Sequence, residues 1–196
     1  MRRQLTFSPY RGIDLLLFAV MLLISEYVIV SAATIWFPGQ PYTVSVVAAI
    51  TAIVMMRWGP FAAIHAVLGG AVFCFFSGAT PEQYLIYCLG NVAALLSLLL
   101  IKIFGSEKVR GNTLLSLLFA LCTQLFMQLG RAAVALVLGH SLVSGLGFIA
   151  TDALSILFTM VIIWIVRRLD GLFENQKSYL LRLEKEREKE GGETTS

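Results

Sequence analysis

Several long apolar stretches of the sequence are interrupted by ionisable or amide side chains, and these are the first candidates for chemistry. They are Glu26, Asn91, Gln124, Gln128, Arg131 and Asp152. An ionisable side chain near the centre of a bilayer costs about 2.5–3.5 kcal/mol on insertion scales, so each one needs a partner or a function. Because carboxylates, amides and a guanidinium together supply donors and acceptors, this set predicts hydrogen bonding to a small polar ligand.

Three polar stripes recur at helical spacing in separate apolar segments. They consist of Tyr84, Tyr87 and Asn91; of Gln124, Gln128 and Arg131; and of Asp152, Ser155 and Thr159. Each stripe lies on one face of its helix, and exposing that face to lipid would cost free energy. We therefore expect the three stripes to converge on a polar, aromatic-edged cavity. Glu26 or Asp152 would neutralise Arg131 there. The alternative is that these three residues form only a buried ion pair that fixes helix packing.

The depth of the polar residues predicts the side on which this cavity opens. At a rise of about 1.5 Å per residue, Glu26 lies about 20 Å from the start of the first apolar segment, and Arg131 about 27 Å from Thr113. The other four polar residues also fall in the outer half of a hydrocarbon core about 30 Å thick. The cavity is therefore expected near the extracytoplasmic surface.

Other reactive residue types indicate no catalytic or metal site. Cys74, Cys88 and Cys122 lie in apolar stretches without Cys-x-x-Cys spacing and are expected to be inert. His65 is expected to be a hydrogen-bonded interior residue, and His140 to be interfacial. The sequence contains no phosphate-binding loop, no His-Glu-x-x-His and no complete Gly-x-Ser-x-Gly. We therefore expect a non-enzymatic protein without a metal or cofactor.

The composition predicts the elements that position these residues. The chain is 58% hydrophobic and 14% charged, whereas soluble domains carry about 25% charged residues. This predicts an all-α integral membrane bundle of six transmembrane helices in residues 1–168, followed by a cytoplasmic charged helical tail in 169–196. The six helices are expected at about 13–36, 43–56, 61–76, 82–104, 113–138 and 148–166. The net charge of +3 reports orientation rather than nucleic-acid binding.

Lysine and arginine residues predict the orientation of the bundle. They occupy one alternate set of helix ends: Arg2, Arg3, Arg11, Arg57, Lys102, Lys108, Arg110, Arg167 and Arg168. The opposite ends, at 37–42, 77–83 and 139–147, contain no lysine or arginine. By the positive-inside rule, both termini are expected in the cytoplasm.

Small residues recur every four positions on the second and third predicted helices. They are Ala48 and Ala52, then Ala62, Ala66 and Gly70. Such spacing permits close helix approach. It is typical of internal packing, and the alternative is a surface offered to a second membrane subunit.

The segment Arg57-Trp58-Gly59-Pro60, which leads into Ala62-Ala63-x-x-Ala66-x-x-Gly69-Gly70 and ends at Phe76-Ser77-Gly78, resembles part of a known family. It is similar to the passage between helices 2 and 3 in the substrate-binding S components of energy-coupling factor (ECF) transporters. The resemblance covers about residues 10–168 and extends to the six-helix length, the proline-bearing first outer loop and the outer polar residues. One departure is that helix 1 has only Ala32 and Ala33 where the family often carries Ala-x-x-x-Ala.

The resemblance implies a multi-pass protein of the prokaryotic cytoplasmic membrane, surrounded by lipid, that captures a vitamin or vitamin precursor. It would topple in the membrane against a transmembrane T subunit driven by two cytoplasmic ATPase subunits. The alternative is a membrane scaffold or sensor, similar to the small rod-shape scaffold proteins, that acts through its charged C-terminal helix.

Overall fold

A computed structural model describes residues 7–36 and 43–193, and its regular structure there is helical. The helices are α1 (Phe7–Trp36), α2 (Val47–Trp58), α3 (Ala62–Ser77), α4 (Pro81–Asn91), α5 (Leu98–Phe104), α6 (Ser106–Gly111), α7 (Thr113–Val137), α8 (Leu142–Thr151), α9 (Ala153–Val166) and α10 (Gln176–Glu193). The 3-10 turns Gly59–Phe61 and Val92–Ser97 join α2 to α3 and α4 to α5. The all-helical prediction is confirmed for these residues. The predicted first loop at 37–41 and the charged residues Arg2 and Arg3 lie outside them.

Helix length and composition identify four candidate membrane spans among the described residues. They are Ser8–Trp36, Val47–Ser77, Pro81–Phe104 and Thr113–Val137. The pair α8 and α9, bent by 42°, provides a fifth if it counts as one broken span. These apolar helices are consistent with a membrane-embedded protein.

The candidate span Val47–Ser77 is a helical hairpin rather than one straight helix. A Cβ atom added to Gly69 would overlap the Val47 side chain, although 22 residues of straight helix would separate the two by about 33 Å. The reversal occurs at Gly59, whose φ of +61° is a conformation that glycine adopts without strain. All of α2 except Trp58 is buried, so this helix of about 18 Å lies inside the bundle.

The small residues proposed as a partner surface are part of this internal packing. Ala48, Ala52, Ala62, Ala66 and Gly70 are all buried within the chain. A Cβ atom on Gly70 would lie 2.8 Å from the backbone of α4, which shows how closely α3 and α4 approach. In this conformation the five residues pack inside the chain, and their contact with a second subunit stays a prediction.

The last helix of the bundle differs from the predicted one. The connection predicted at 139–147 is shorter, because α8 begins at Leu142 after Ser141, whose hydroxyl accepts a hydrogen bond from the Ser144 backbone N–H. The helix then breaks at Asp152 and resumes as α9. After α9 the chain turns through Gly171, with a φ of +73°, so α10 is not a continuation of α9.

The segment between α9 and α10 is packed against the bundle. Phe173 is fully buried, and its ring lies 6.2 Å from the Phe119 ring of α7. Arg57 donates hydrogen bonds to the backbone carbonyls of Gly171 and Leu172. The tail is therefore attached to the membrane domain through both apolar and polar contacts.

Candidate functional site

Two of the candidate polar residues lie where a helix becomes irregular. Asp152 occupies the break between α8 and α9, and Asn91 is the last residue of α4 before the 3-10 turn. The break leaves the Thr151 carbonyl free to accept a hydrogen bond from the Thr43 backbone N–H at 2.9 Å. Irregular helix segments of this kind often mark functional positions.

Arg131 of α7 is the centre of the cluster. Its Nη1 donates to Asp152 Oδ2 at 2.7 Å, and its Nε donates to Asn91 Oδ1 at 2.7 Å. Asn91 Nδ2 in turn donates to the Ala66 carbonyl at 3.0 Å. Arg131 and Asp152 are each 3% exposed and Asn91 is fully buried. Residues of α3, α4, α7 and the α8–α9 break therefore meet in one interior network.

Asp152 collects further donors from the same region. It accepts hydrogen bonds from Gln128 Nε2 and from the Thr43 hydroxyl. Gln124 Nε2 is also directed at Asp152 Oδ2, but at 3.4 Å, beyond the usual 2.7–3.2 Å range for an N–H donor. Thr159 donates to Gln124 Oε1, again at 3.4 Å. Among the described residues, the Gln124 side chain is thus held by long hydrogen bonds.

Glu26 is fully buried in α1 and forms a hydrogen bond with the backbone that leads into α2. Its Oε2 accepts a hydrogen bond from the Val46 backbone N–H at 3.1 Å, just before α2 begins. Its Oε1 has no hydrogen-bond partner among the described residues. Glu26 lies within electrostatic range of Arg131 and Asp152. Of the two predicted counter-ions, Asp152 is the one that contacts Arg131.

Tyr87 supplies the aromatic edge of the cluster. The Arg131 guanidinium lies 4.3 Å from the centre of the Tyr87 ring, a cation–π arrangement. Phe73 stacks on the same tyrosine with ring centres 4.9 Å apart, and Phe148 meets it edge-on at 6.0 Å. Tyr84 is half-buried and packs in the same apolar cluster as Phe73 and Tyr87.

The predicted convergence of the stripes is found, but the predicted open cavity is closed. Glu26, Asn91, Gln124, Gln128, Arg131 and Asp152 are each at most 3% exposed. The physical reason is that the guanidinium, carboxylate and amides form hydrogen bonds with one another inside the bundle. No group of three or more metal-binding side chains occurs among residues 7–36 and 43–193.

Sequence reasoning missed two glycines that allow the central helices to approach. A Cβ atom on Gly90 would lie 2.5 Å from the Arg131 Cα, and one on Gly130 would overlap the Gly90 carbonyl. The available signal was their position next to Asn91 and Arg131 on two of the polar stripes. The polar contributions of Thr43 were also missed, because that residue was placed inside the second helix.

A second buried ion pair lies at the opposite end of the bundle. Arg57 Nη2 donates to Asp14 Oδ1 at 2.6 Å, and Arg57 Nε donates to Asp14 Oδ2 at 2.8 Å. Trp58 Nε1 also donates to Asp14, at 2.6 Å. Nearby, His65 Nε2 forms a hydrogen bond with the Leu15 carbonyl at 2.9 Å, as expected for an interior histidine. This pair anchors the tail rather than contributing to the Arg131 cluster.

Comparison of the chain with protein-family models, curated proteins and solved structures gave no match.

Proposed function

We propose that this chain is the substrate-binding membrane subunit of an ECF-type uptake transporter for a small soluble micronutrient, a vitamin or vitamin precursor. The supporting observation is the convergence of Arg131, Asp152, Asn91 and Gln128 from separate helices into one buried network. A cluster of this size in a membrane domain is costly and is a functional candidate by default. The chain would bind the ligand, and a T subunit with two ATPases would drive uptake.

The proposal includes six crossings with both termini in the cytoplasm. The five apolar segments become six when the hairpin of α2 and α3 is counted as two helices, with the short α2 enclosed by its neighbours. Arg110 and Arg167 lie beside Thr113, at the start of α7. Arg131 lies about 27 Å further along the same helix. With the basic ends facing the cytoplasm, this distance supports a position of the Arg131 cluster toward the outer surface.

The ligand is proposed to be partly charged and heteroaromatic. Arg131 can bind an anionic or carbonyl group while keeping its position over the Tyr87 ring. Because Arg131 and Phe73 already cover the Tyr87 ring, a flat ligand ring would pack against Phe148. Asp152 and the unpartnered Oε1 of Glu26 can accept hydrogen bonds from ligand N–H groups. Apolar walls with a few placed polar groups are typical of small-molecule sites.

Binding requires the closed cluster to exchange partners. The contacts most easily exchanged are those at 3.4 Å, from Gln124 to Asp152, from Thr159 to Gln124 and from Arg131 to Gln128. Because these long hydrogen bonds are weak, the Gln124 amide can turn toward a ligand without breaking the short bonds of Arg131 to Asp152 and Asn91. Turning the Gln128 amide would also break its hydrogen bond to Asp152.

The proposal is tested by purifying the chain in a mild detergent and identifying bound small molecules and co-purified proteins by mass spectrometry. The double variant Arg131→Gln/Asp152→Asn removes the ion pair of the site without leaving an unpaired charge, and it should lose the ligand. The double variant Asp14→Asn/Arg57→Gln removes the other buried ion pair and should retain it. Equal ligand retention by the two double variants would contradict the proposed site.

A membrane scaffold or sensor is the second candidate, because the chain ends in a charged helix that is fixed to the bundle. Arg182 of α10 pairs with Asp170 at 2.9 Å and with Glu174 at 3.1 Å. Deletion of residues 183–196 preserves these contacts and removes the rest of the helix. Uptake should survive this deletion if the chain is a transporter subunit, whereas a scaffold would lose its partner.

A further inference from the structure

An open cavity of about 490 Å³ lies between α6 and the C-terminal end of α9. It is lined by Glu107, Arg110, Gly111, Arg167 and Arg168. The cavity is distinct from the Arg131 cluster, since Thr113 at the start of α7 is its neighbour and Arg131 is about 27 Å further along that helix. The side chains that line it carry a net positive charge, because they comprise three guanidinium groups and one carboxylate.

The three arginines differ in how far they are neutralised. Arg110 is paired with Glu174, and with Asp170 at 3.0 Å. Arg167 instead donates to neutral oxygens, including the Arg110 carbonyl at 3.1 Å, and its buried Nε has no partner among the described residues. Neither Arg167 nor Arg168 has a carboxylate within ion-pair distance in the part of the chain that the structure describes. Two cations therefore remain available to an anion.

The position of the cavity indicates where that anion comes from. The Arg168 guanidinium lies 4.0 Å from the centre of the Trp164 ring, and Trp164 is partly exposed on α9. The outward face of α9 continues with the exposed apolar residues Leu157 and Val161. Tryptophan beside arginine at the end of an apolar helix is typical of a membrane interface. An anion in the cavity would thus be beside lipid chains.

We propose that this cavity binds the phosphate of an anionic phospholipid, whose acyl chains lie along the outward face of α9. Arg167 and Arg168 would bind the phosphate oxygens, since arginine forms strong charge-assisted hydrogen bonds with phosphate. A glycerol headgroup can donate its hydroxyl hydrogens to Glu107, the carboxylate at the cavity edge. The site goes beyond the proposed transport function and does not depend on it.

A simpler explanation of any lipid binding is that basic helix ends are attracted to acidic membranes in general. The test must distinguish this attraction from binding in the cavity. Several other basic residues near this end already have carboxylate partners, namely Arg57, Arg110 and Arg182. Basic residues that only set the orientation of the helices would not need such partners. Arg167 and Arg168 stand apart from them because they border a cavity and lack such partners. The proposal therefore requires these two residues, and not any basic residue at the same end, to determine lipid binding.

The test is native mass spectrometry of the detergent-purified full chain titrated with phosphatidylglycerol or with zwitterionic phosphatidylcholine. Arg168→Gln should weaken phosphatidylglycerol binding about fivefold, from about 1 kcal/mol per basic residue near an anionic lipid and tenfold per 1.4 kcal/mol. The matched control is Lys102→Gln, which removes one exposed positive charge at the end of α5 but does not line the cavity. It should change binding less than about twofold, because Lys102 does not line the cavity and would not contact the bound phosphate.

Each outcome decides the proposal. Selective phosphatidylglycerol binding that Arg168→Gln weakens and Lys102→Gln does not would support it. Equal weakening by both variants, or no preference for phosphatidylglycerol over phosphatidylcholine, would overturn it. If the chain binds inorganic phosphate but not phosphatidylglycerol, the occupant of the cavity is not a lipid. If Arg168→Gln lowers thermal stability, Arg168→Lys provides a second measurement, because it keeps the charge and should restore most of the lipid affinity.

Discussion

The ion pair between Arg131 and Asp152 is expected to be strongly coupled. Asp152→Asn leaves the buried Arg131 guanidinium without the carboxylate that contacts it, and Arg131→Gln leaves the Asp152 carboxylate without the guanidinium that contacts it. The two groups are 2.7 Å apart and each is 3% exposed, so water cannot compensate for the missing partner. The double variant replaces both charges with amides, which can bond to each other and to the surrounding polar groups.

The size of the effect follows from this burial. Removing one partner of a buried pair typically costs about 3–5 kcal/mol, whereas replacing both is often nearly neutral. For a chain of this size about 1 kcal/mol corresponds to about 2–4 °C in the unfolding midpoint. We therefore expect each single variant to lower the midpoint by about 6–20 °C, and the double variant to recover most of that loss.

The three free cysteines provide an assay for these variants. Cys74 is buried and Cys88 and Cys122 are half-buried, so a thiol-reactive fluorescent dye should label all three faster as the protein unfolds. Heating purified wild-type, single-variant and double-variant protein in detergent micelles with this dye gives the four midpoints of a double-mutant cycle. If the fall in the unfolding midpoint of the double variant equals the sum of the falls in the two single variants, the two residues are not coupled and the reasoning fails.

Further predictions concern helix packing and the tail. Gly90→Ala should lower the unfolding midpoint, because its Cβ would lie 2.5 Å from the Arg131 backbone and overpacking costs about 1–3 kcal/mol. Gly147→Ala in α8 has no atom within 4 Å of the added Cβ and should leave the midpoint unchanged or raise it. Phe173→Ala should expose the tail to limited proteolysis, since deleting a buried phenylalanine costs about 3–5 kcal/mol; protection equal to wild type would refute the docking. Truncation to residue 182 should not increase cleavage before α10.

The sequence predicted the members of the polar cluster better than their pairing. Helical spacing placed Gln124, Gln128 and Arg131 on one face, and that face is buried as expected. It left open whether Glu26 or Asp152 pairs with Arg131, because periodicity gives a direction on one helix and not the distance to another. The break at Asp152, which brings its carboxylate to Arg131, carries no proline or glycine that would have predicted it.

The tail shows the same division between local and long-range information. The sequence predicted a helical tail at 169–196, and a helix is found from Gln176, after the turn at Gly171. Nothing local indicated that Phe173 would be buried against α7 or that Arg57, more than 100 residues earlier, would hold the Gly171 carbonyl. Those contacts depend on how the ends of α2, α7 and α9 meet.

The sequence by itself determined that the protein is helical and apolar enough for a membrane, because run length, composition and periodicity are properties of contiguous residues. Only the tertiary structure decided that the polar cluster is closed, that Asp152 rather than Glu26 pairs with Arg131, and that the small residues of α2 and α3 are used inside the chain. These outcomes depend on the distances between helices, which are fixed when glycines at the crossings allow the backbones to approach and the buried polar groups find their partners.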